Sequence, residues 1–590
     1  MRRTRKLALM MDVLAATGGN IRNSLKNRFY RSFAGRNLWY RDSAENGALA
    51  GDAGHGDRII FHYPIDLRPG LAARGDLWLT GDYSLPGAIV RDRGTDPFAI
   101  PAPSKKWAHA LHSFDWMRHL IASDNLQAGG LAFDAILSWA KADFIKQKTP
   151  MHPPVIARRL MTWSAYLPLL REFGSARDIA EIHTSIVNQA RWLSFTSRQT
   201  QDGLGRLHAA AGLTFAGLML ANRGEWIRSG VEQLMRETRR QMLPDGGHMG
   251  RAPDTVALLL ADFTAIDRGL QSRNITPPAD FTAMVKRMPE ILAMLRHEDG
   301  GLACFNGGLQ MSSEELTPLL KGHSASRMSY AQRSGYHRLK AQRTCVVVDV
   351  GDNISGVDSV NAHAAPLAFE MSHSQHRIIV NCGPNKVHGL DWQLAARGIA
   401  AHSTLAFDSA KEDPFLRHQR SAHRLGAQLA DSDWQLKCRR VEDDGGVWLE
   451  ASHGLFLASH GVYHNRRIFM DADGKDIRGE DNLLTDPNQT PRYGAPFHLR
   501  FHLHPSVNAS LQAGDSAVLL VTGGGHGWQF RVSDEKNTGL AVEESVYMGQ
   551  TGIPQRCQQI TISGVFQQNN TLIRWGLRYA GRSGRRRSRS

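Results

Sequence analysis

The period of the hydrophobic pattern changes once, near residue 330, and this change constrains the fold more than any other feature. Across residues 101–300 apolar side chains recur every three to four positions. Segments 107–123, 131–147, 154–173, 176–197, 206–222, 224–242, 255–270 and 281–295 each read as a helix. Ala and Leu are frequent in them, β-branched residues are sparse, and Gly, Pro, Ser or Asp bounds each run. Short connections predict antiparallel helical hairpins, arranged as a bundle or as an α/α toroid. Beyond 330 the runs are short and alternate: 343–351, 367–372, 377–383, 446–460, 466–474, 497–505, 516–525, 528–533 and 571–580. They are rich in Val, Ile, Phe and Trp and are separated by Gly, Asn and Asp turns. Helices followed by strands predict an α+β multidomain chain whose second part is a large antiparallel β-sandwich. The expected divisions are a basic lead-in over 1–100, a helical domain over 101–325, a β domain over 335–580 and an Arg/Ser tail over 581–590. A helical and a β domain in one chain predict a cleft between them, a favoured place for a substrate.

Charge narrows the partner. The formal net charge is +15, but residues 1–40 contribute +8 and the tail GRSGRRRSRS contributes +5, leaving +2 for the body. Binding chemistry is therefore expected in local sites rather than in a global positive field. Nucleic acid is disfavoured as the partner for the same reason, while the basic ends suit peripheral contact with a membrane or envelope surface. Mean hydropathy is −0.35 and no apolar run reaches about 18 residues, which excludes a polytopic membrane protein. The start MRRTRKLALMMDVLAATGG has a charged head and a short apolar stretch interrupted by Asp12, a weak secretory signal. It suggests the cell envelope or periplasm and leaves the cytoplasm open. Five widely spaced cysteines without a CxxC pair predict thiols, not a disulfide framework or a zinc ribbon.

No GxxxxGK[ST], GxSxG or HExxH motif occurs, which removes P-loop nucleotide hydrolysis and two hydrolase classes. What stands out instead is MLPDGGHMGRAPD (242–254), NAHAAPLAFE (361–370), IIVNCGPN (378–385), RGIAAHSTLAFD (397–408), SHGLFLASHGVYHNRRIF (452–469) and FHLRFHLHP (497–505). His363 and His402, 39 residues apart at two strand entries, can meet. With Asn381 or Cys382 from a third strand they would form a metal site; otherwise both hydrogen-bond within the sandwich. Alternation on strands predicts solvent-facing or pocket-lining positions for the histidines of 453–464 and 498–504.

Together these motifs resemble the heparinase II/III family of polysaccharide lyases. The PDGGH turn at 244–248, the NAH…LAFE stretch with its strand–Gly turn, and RGIAAHST at 397–404 carry the resemblance, and GYHRLKAQRTCVVVDVG and HNRRIF fit it. It covers roughly residues 100–580 and is strongest over 335–410 and 450–505. It implies an α/α toroid followed by an antiparallel β-sandwich. It further implies β-elimination of an acidic, uronate-containing polysaccharide in the cleft between them. That reaction needs a neutralised carboxylate, a base for the C5 proton and an acid for the leaving oxygen.

Carried over residue by residue, the match is partial. Lyase members have His-x-His in the β domain, the first catalytic and the second a metal ligand; here Asn361 stands in the first position and His363 in the second. His402 is present, and Asn381 stands where the family has a ligand Asp, so His363, Asn381 and His402 are the implied ligands of one zinc-like divalent structural metal. The Asn-His of the lyase helical domain falls near Arg206 and Leu207, and no tyrosine occurs between Tyr166 and Tyr330. A lyase would therefore need a relocated base, from His248, Tyr336, His363 or Tyr463. Arg206, Arg251, Asn361 and His337 are the substrate-binding candidates, the arginines because a guanidinium pairs bidentately with a carboxylate. The competing expectation is a non-catalytic glycan-binding or envelope-assembly protein on the same fold.

Overall fold

The computed structural model describes residues 66–582 apart from short stretches, of which 409–414 and 416–426 are the longest. The basic start and nearly all of the Arg/Ser tail lie outside the described residues. The chain forms two compact units, Met1–Arg240 with Ala265–Pro277 and Gln241–Thr264 with Pro278–Ser590.

The first unit is helical, as its period predicts. Lys105–Ser113, Gln127–Lys141, Pro153–Leu170, Ala176–Thr196 and Leu204–Met219 follow one another. Ser175 and Asp178 close a reciprocal capping box at the start of Ala176–Thr196. The run expected as one helix over 107–123 is two, because Phe114 adopts a left-handed φ of 61°. That turn buries its ring edge-on against Trp163, with centroids 5.2 Å apart. Two buried histidines act as acceptors here: His112 Nδ1 receives the Trp139 indole N–H at 3.0 Å, and His119 Nδ1 receives the Leu71 amide at 3.0 Å.

The second unit contains two antiparallel sheets. One has nine strands, running from Thr538–Tyr547 through Gln555–Val565, Pro496–Leu503, His376–Val380, Phe369–His373, Thr344–Asp349 and Tyr336–Ala341 to Tyr330–Ala331. Leu405–Phe407 also pairs with Pro496–Leu503. The other has eight: Val507–Leu511, Ala517–Thr522, His526–Val532, Asn570–Arg582, Asp476–Thr485, Val462–Asp471, Gly446–His453 and Lys437–Asp443. Inward residues of both sheets share one core, where Val346, Phe369 and Leu499 meet Leu449, Ile477 and Trp575. The Phe369 and Trp575 rings stack at 5.7 Å. Together with the helical unit, this is the α+β order expected from the change of period.

The histidines of 453–464 depart from expectation. His453 and His464 are fully buried cross-strand partners, with Nε2 and Nδ1 3.1 Å apart. His464 Nε2 reaches Asp481 at 2.6 Å, Arg466 Nε donates to the same carboxylate at 2.7 Å, and the Trp575 indole N–H donates to it at 2.8 Å. A buried carboxylate explains the inward histidine, because a buried charge needs hydrogen-bonded partners. His502 is likewise buried, its Nε2 donating to the Ala400 carbonyl at 3.0 Å and its Nδ1 2.8 Å from the Ser545 hydroxyl.

Candidate functional site

The motifs singled out in the sequence converge within the second unit. The PDGGH turn is shaped by Gly246, whose φ of +93° suits a residue without a Cβ. Asp245 accepts from the Arg333 and Ser334 amides at 2.9 and 2.7 Å and from the Ser334 hydroxyl at 2.7 Å, tying the turn to the segment before strand Tyr336–Ala341. His248 is buried with both ring nitrogens engaged: Nδ1 accepts from the Gly250 amide at 3.0 Å, so Nε2 carries the proton donated to Gln241 at 3.2 Å.

Arg251 lies at the centre. Its φ is +55° and its guanidinium is buried. Nε donates to the Ser334 carbonyl at 2.8 Å, Nη1 to the Asp352 carbonyl at 3.1 Å, and Nη2 pairs with the Asp349 carboxylate. Gly351 admits it: a Cβ there would stand 2.0 Å from the guanidinium carbon. Tyr336 donates its hydroxyl to the Arg251 carbonyl at 2.5 Å and accepts from Asn306 Nδ2 at 3.0 Å. Burial, reinforced by Asp349, pushes the phenol pKa above its usual value. Asn306 also donates to Asp349 at 3.1 Å and accepts from the His363 amide at 3.2 Å.

His363 and His402 do meet, from loops rather than from strands, with Nδ1 and Nε2 2.8 Å apart. His402 Nδ1 lies 2.8 Å from the Gly398 carbonyl and must donate to it, so its Nε2 is the acceptor and His363 Nδ1 the donor. His363 Nε2 is left as a buried lone pair without a partner. Burial, then the neighbouring His402, holds the His363 pKa well below the ordinary value.

The expected metal set does not fit this arrangement. Two nitrogens on a tetrahedral zinc stand about 3.3 Å apart, given metal–nitrogen bonds of about 2.0–2.1 Å. Here the facing nitrogens share a proton at the shorter distance. Asn381 is also committed: its Oδ1 accepts from the Ser403 amide at 3.0 Å and its Nδ2 donates to Glu370 at 3.3 Å. Among the described residues, no group of three His, Cys, Asp or Glu is placed to hold a metal ion. Protein purified without chelator is expected to carry well below one zinc per chain, with a melting temperature indifferent to EDTA. A stoichiometric zinc whose removal lowers that temperature would restore the three-ligand site.

The remaining candidates fall elsewhere. His337 packs against Tyr330 with ring centroids 5.5 Å apart, and its Nε2 lies 3.6 Å from the Cys438 sulfur. Tyr463 belongs to the eight-stranded sheet and donates to Gln435 at 2.9 Å. Arg206 lies in the first unit, spending Nε and Nη2 on the Thr200 carbonyl at 3.1 and 2.9 Å. Asn361 is exposed beside Gly307. Sequence reading missed the acidic half of the network. Glu370, fully buried, accepts from His297 Nε2 at 3.0 Å and from the Cys304 amide at 3.1 Å. The LAFE motif contained that residue, but a lone acid in an apolar strand was its entire signal.

Residues 165–327 match the family model for the heparinase II/III N-terminus, and residues 324–576 match the heparinase II/III-like, C-terminal model. The chain is 30% identical over 532 residues to FtsZ-localized protein C of Caulobacter vibrioides, covering 87% of this chain and 89% of that one. This chain belongs to the heparinase II/III-like family. Among solved structures of this fold, heparinase III aligns with a TM-score of 0.68 over 89% of this chain and 87% of its own, at 14% identity. Heparan sulfate lyase HepC from Pedobacter heparinus aligns with a TM-score of 0.56, covering 89% and 86%, also at 14% identity. This heparinase II/III-like chain shares their fold.

Proposed function

We propose that this chain is a non-catalytic heparinase-fold protein that holds an acidic polysaccharide and serves in envelope assembly where FtsZ acts. One observation carries the reading. The Tyr336 hydroxyl is buried and donates to a backbone carbonyl, and Asn361, where the family resemblance would put the lyases' catalytic histidine, is exposed. β-Elimination needs a group that accepts the C5 proton at neutral pH. An amide does not titrate there, and a phenol with a raised pKa and both hydrogen bonds in use is a poor base. Among the other candidates, His248 holds two partners, His363 keeps an Nε2 lone pair that is buried and held well below its ordinary basicity, and Arg251 spends its guanidinium on Ser334, Asp352 and Asp349 instead of a uronate. No step is assigned to a metal.

The polysaccharide partner is supported by the fold neighbours named heparinase III and heparan sulfate lyase. The place of action is supported by the relative named for its localisation with FtsZ. The basic ends would supply contact with an anionic envelope surface; among the described residues no helix is long and apolar enough to cross a membrane.

The test is to incubate the purified chain with a panel of uronate polymers and follow the ultraviolet absorbance of the new C=C bond. Absorbance is expected to stay at the buffer baseline. A rise that Tyr336→Phe or His248→Ala abolishes would make the protein a lyase and overturn the reading. In a second arm, the chain is expected to co-sediment with FtsZ filaments from its own organism, and a chain left wholly in the supernatant would remove the FtsZ part.

A further inference from the structure

The outward face of the eight-stranded sheet carries a depression of about 940 Å³, on the side opposite the shared core. Its floor is Gly576, in the strand Asn570–Arg582 and paired on either side with Arg478 and Arg531. Neighbouring strands stand about 4.8 Å apart, so the two arginines flank a gap with no side chain in it. Packing does not require that gap. A Cβ on Gly576 would meet just the Ile477 carbonyl oxygen, at an ordinary 3.5 Å, and its φ is not in the left-handed region. A glycine inside a central strand weakens it and often marks a place where a ligand approaches the backbone closely.

The walls are cationic: five arginines against Asp476 and Glu480. Glu480 is shared by Arg574 at 3.0 Å and Arg467 at 3.7 Å, and Asp476 holds Arg478 at 2.6 Å. Arg531 and Arg578 are exposed, and neither forms an ion pair among the described residues. This local excess sits on a body whose net charge is close to zero. At one end Trp448, 43% exposed, is backed by Phe469 at 4.5 Å and offers an aromatic face. Gln512 and Gln529, joined at 2.7 Å, add neutral amide groups to the rim.

We propose that this depression is a binding groove for an anionic oligosaccharide segment, its carboxylate or sulfate groups taken by Arg531, Arg578 and Arg478 and one sugar ring resting on Trp448. Planar guanidinium forks suit both kinds of oxyanion. Mixed aromatic and amide groups around a concavity suit a sugar chain better than a flat bilayer. The groove names a place for the glycan of the proposed function and rests on that reading for its partner class.

The test uses the full chain with four probes followed by calorimetry: a heparin hexasaccharide, an oligogalacturonate hexamer, neutral cellohexaose and phosphatidylglycerol vesicles. The wild type is expected to bind at least one anionic oligosaccharide in a salt-dependent way and cellohexaose about tenfold more weakly or worse. The first two probes separate sulfate from carboxylate recognition. The double variant Arg531→Ala/Arg578→Ala is expected to weaken binding by about tenfold or more. Gly576→Leu fills the pit without changing charge and is expected to do the same with an unchanged melting temperature. If Gly576→Leu does not fold, the exposed arginine pair carries the test alone. Oligosaccharide binding that the arginine double variant leaves intact would overturn the groove and spare the glycan reading. No oligosaccharide binding by the wild type would overturn both. Arginine-dependent capture of vesicles without oligosaccharide binding would make the face a lipid site and overturn the proposal.

Discussion

Acidification from about pH 7 to about pH 5 is expected to destabilise both units, the first one most, through histidines that are buried as neutral hydrogen-bonding groups. Burial, then Arg159, lowers the His112 pKa to about 3. Burial, then Arg118, does the same at His119, also to about 3. His502 falls to about 3 through burial and then His402. In the unfolded chain each returns to about 6.5. A lowered folded pKa means that the unfolded state binds the proton first. The stability these groups permit is complete above about 6.5 and is lost as the pH falls towards about 3. At pH 5 each is 1.5 units below the unfolded value, a loss of roughly 2 kcal/mol per histidine. His112 and His119 both lie in the first unit and together remove about 4 kcal/mol there, while His502 removes about 2 kcal/mol from the second, against about 5–15 kcal/mol for a typical domain. The geometry gives the same answer, since a proton on His112 or His119 would destroy the acceptor used by Trp139 or Leu71. Circular dichroism across a pH series reads the effect. Stability that stays level between pH 7 and pH 5 would show that these histidines are not held neutral.

The second large effect is expected at Asp481. Asp481→Ala should cost about 3–5 kcal/mol, the range for removing one partner of a buried charged pair. The carboxylate binds His464, Arg466 and Trp575 together, and all of them are buried. Its loss strands the Arg466 guanidinium, whose Nη2 already has no hydrogen-bond partner. Arg466 still reaches the Leu367 and Ser403 carbonyls, at 2.8 and 2.9 Å, so the charge stays inside rather than swinging out. Replacing Arg466 by Met in the same chain should recover much of the loss, because an apolar side chain of similar length carries no charge to desolvate. Denaturant unfolding measures both variants. A single-variant loss under about 1 kcal/mol would mean that water reaches the cluster.

The order of elements was legible because period and composition agree over long stretches. Helix Ala176–Thr196 begins at its Ser175 cap, where the apolar stripe begins. Strand Thr344–Asp349 is buried along its entire length and reads as a run of apolar and small residues closed by Asp349. Several strands gave no such signal, among them Lys437–Asp443, Asp476–Thr485, Val507–Leu511, Thr538–Tyr547 and Gln555–Val565. Lys437–Asp443 is exposed almost throughout, and Thr538–Tyr547 is half-buried with charged residues in its middle, so neither alternates clearly. Such strands are held by backbone pairing to neighbours that local sequence does not reveal. At the site, motif matching found His363 and His402, and they do meet. It could not find Asp349, Asn306 or Glu370, which matter because of what they touch across more than forty residues of chain. Nor could it show that Arg251 and Tyr336 are consumed by each other's surroundings, since a residue type states a capacity and packing decides its use.

The threading of Arg251 past Gly351 has a consequence for engineering. Placing histidine at position 361 would add one functional group to a chain in which the polar side-chain atoms of Arg251 and Tyr336 are already paired. To reach a substrate carboxylate, the Arg251 guanidinium would have to leave Asp349, Ser334 and Asp352 at once. That would strand the buried Asp349 carboxylate and leave the Ser334 and Asp352 carbonyls without this donor. On the non-catalytic reading proposed above, activity would be separated from this sequence by several coupled replacements, the release of Arg251 from its present partners among them.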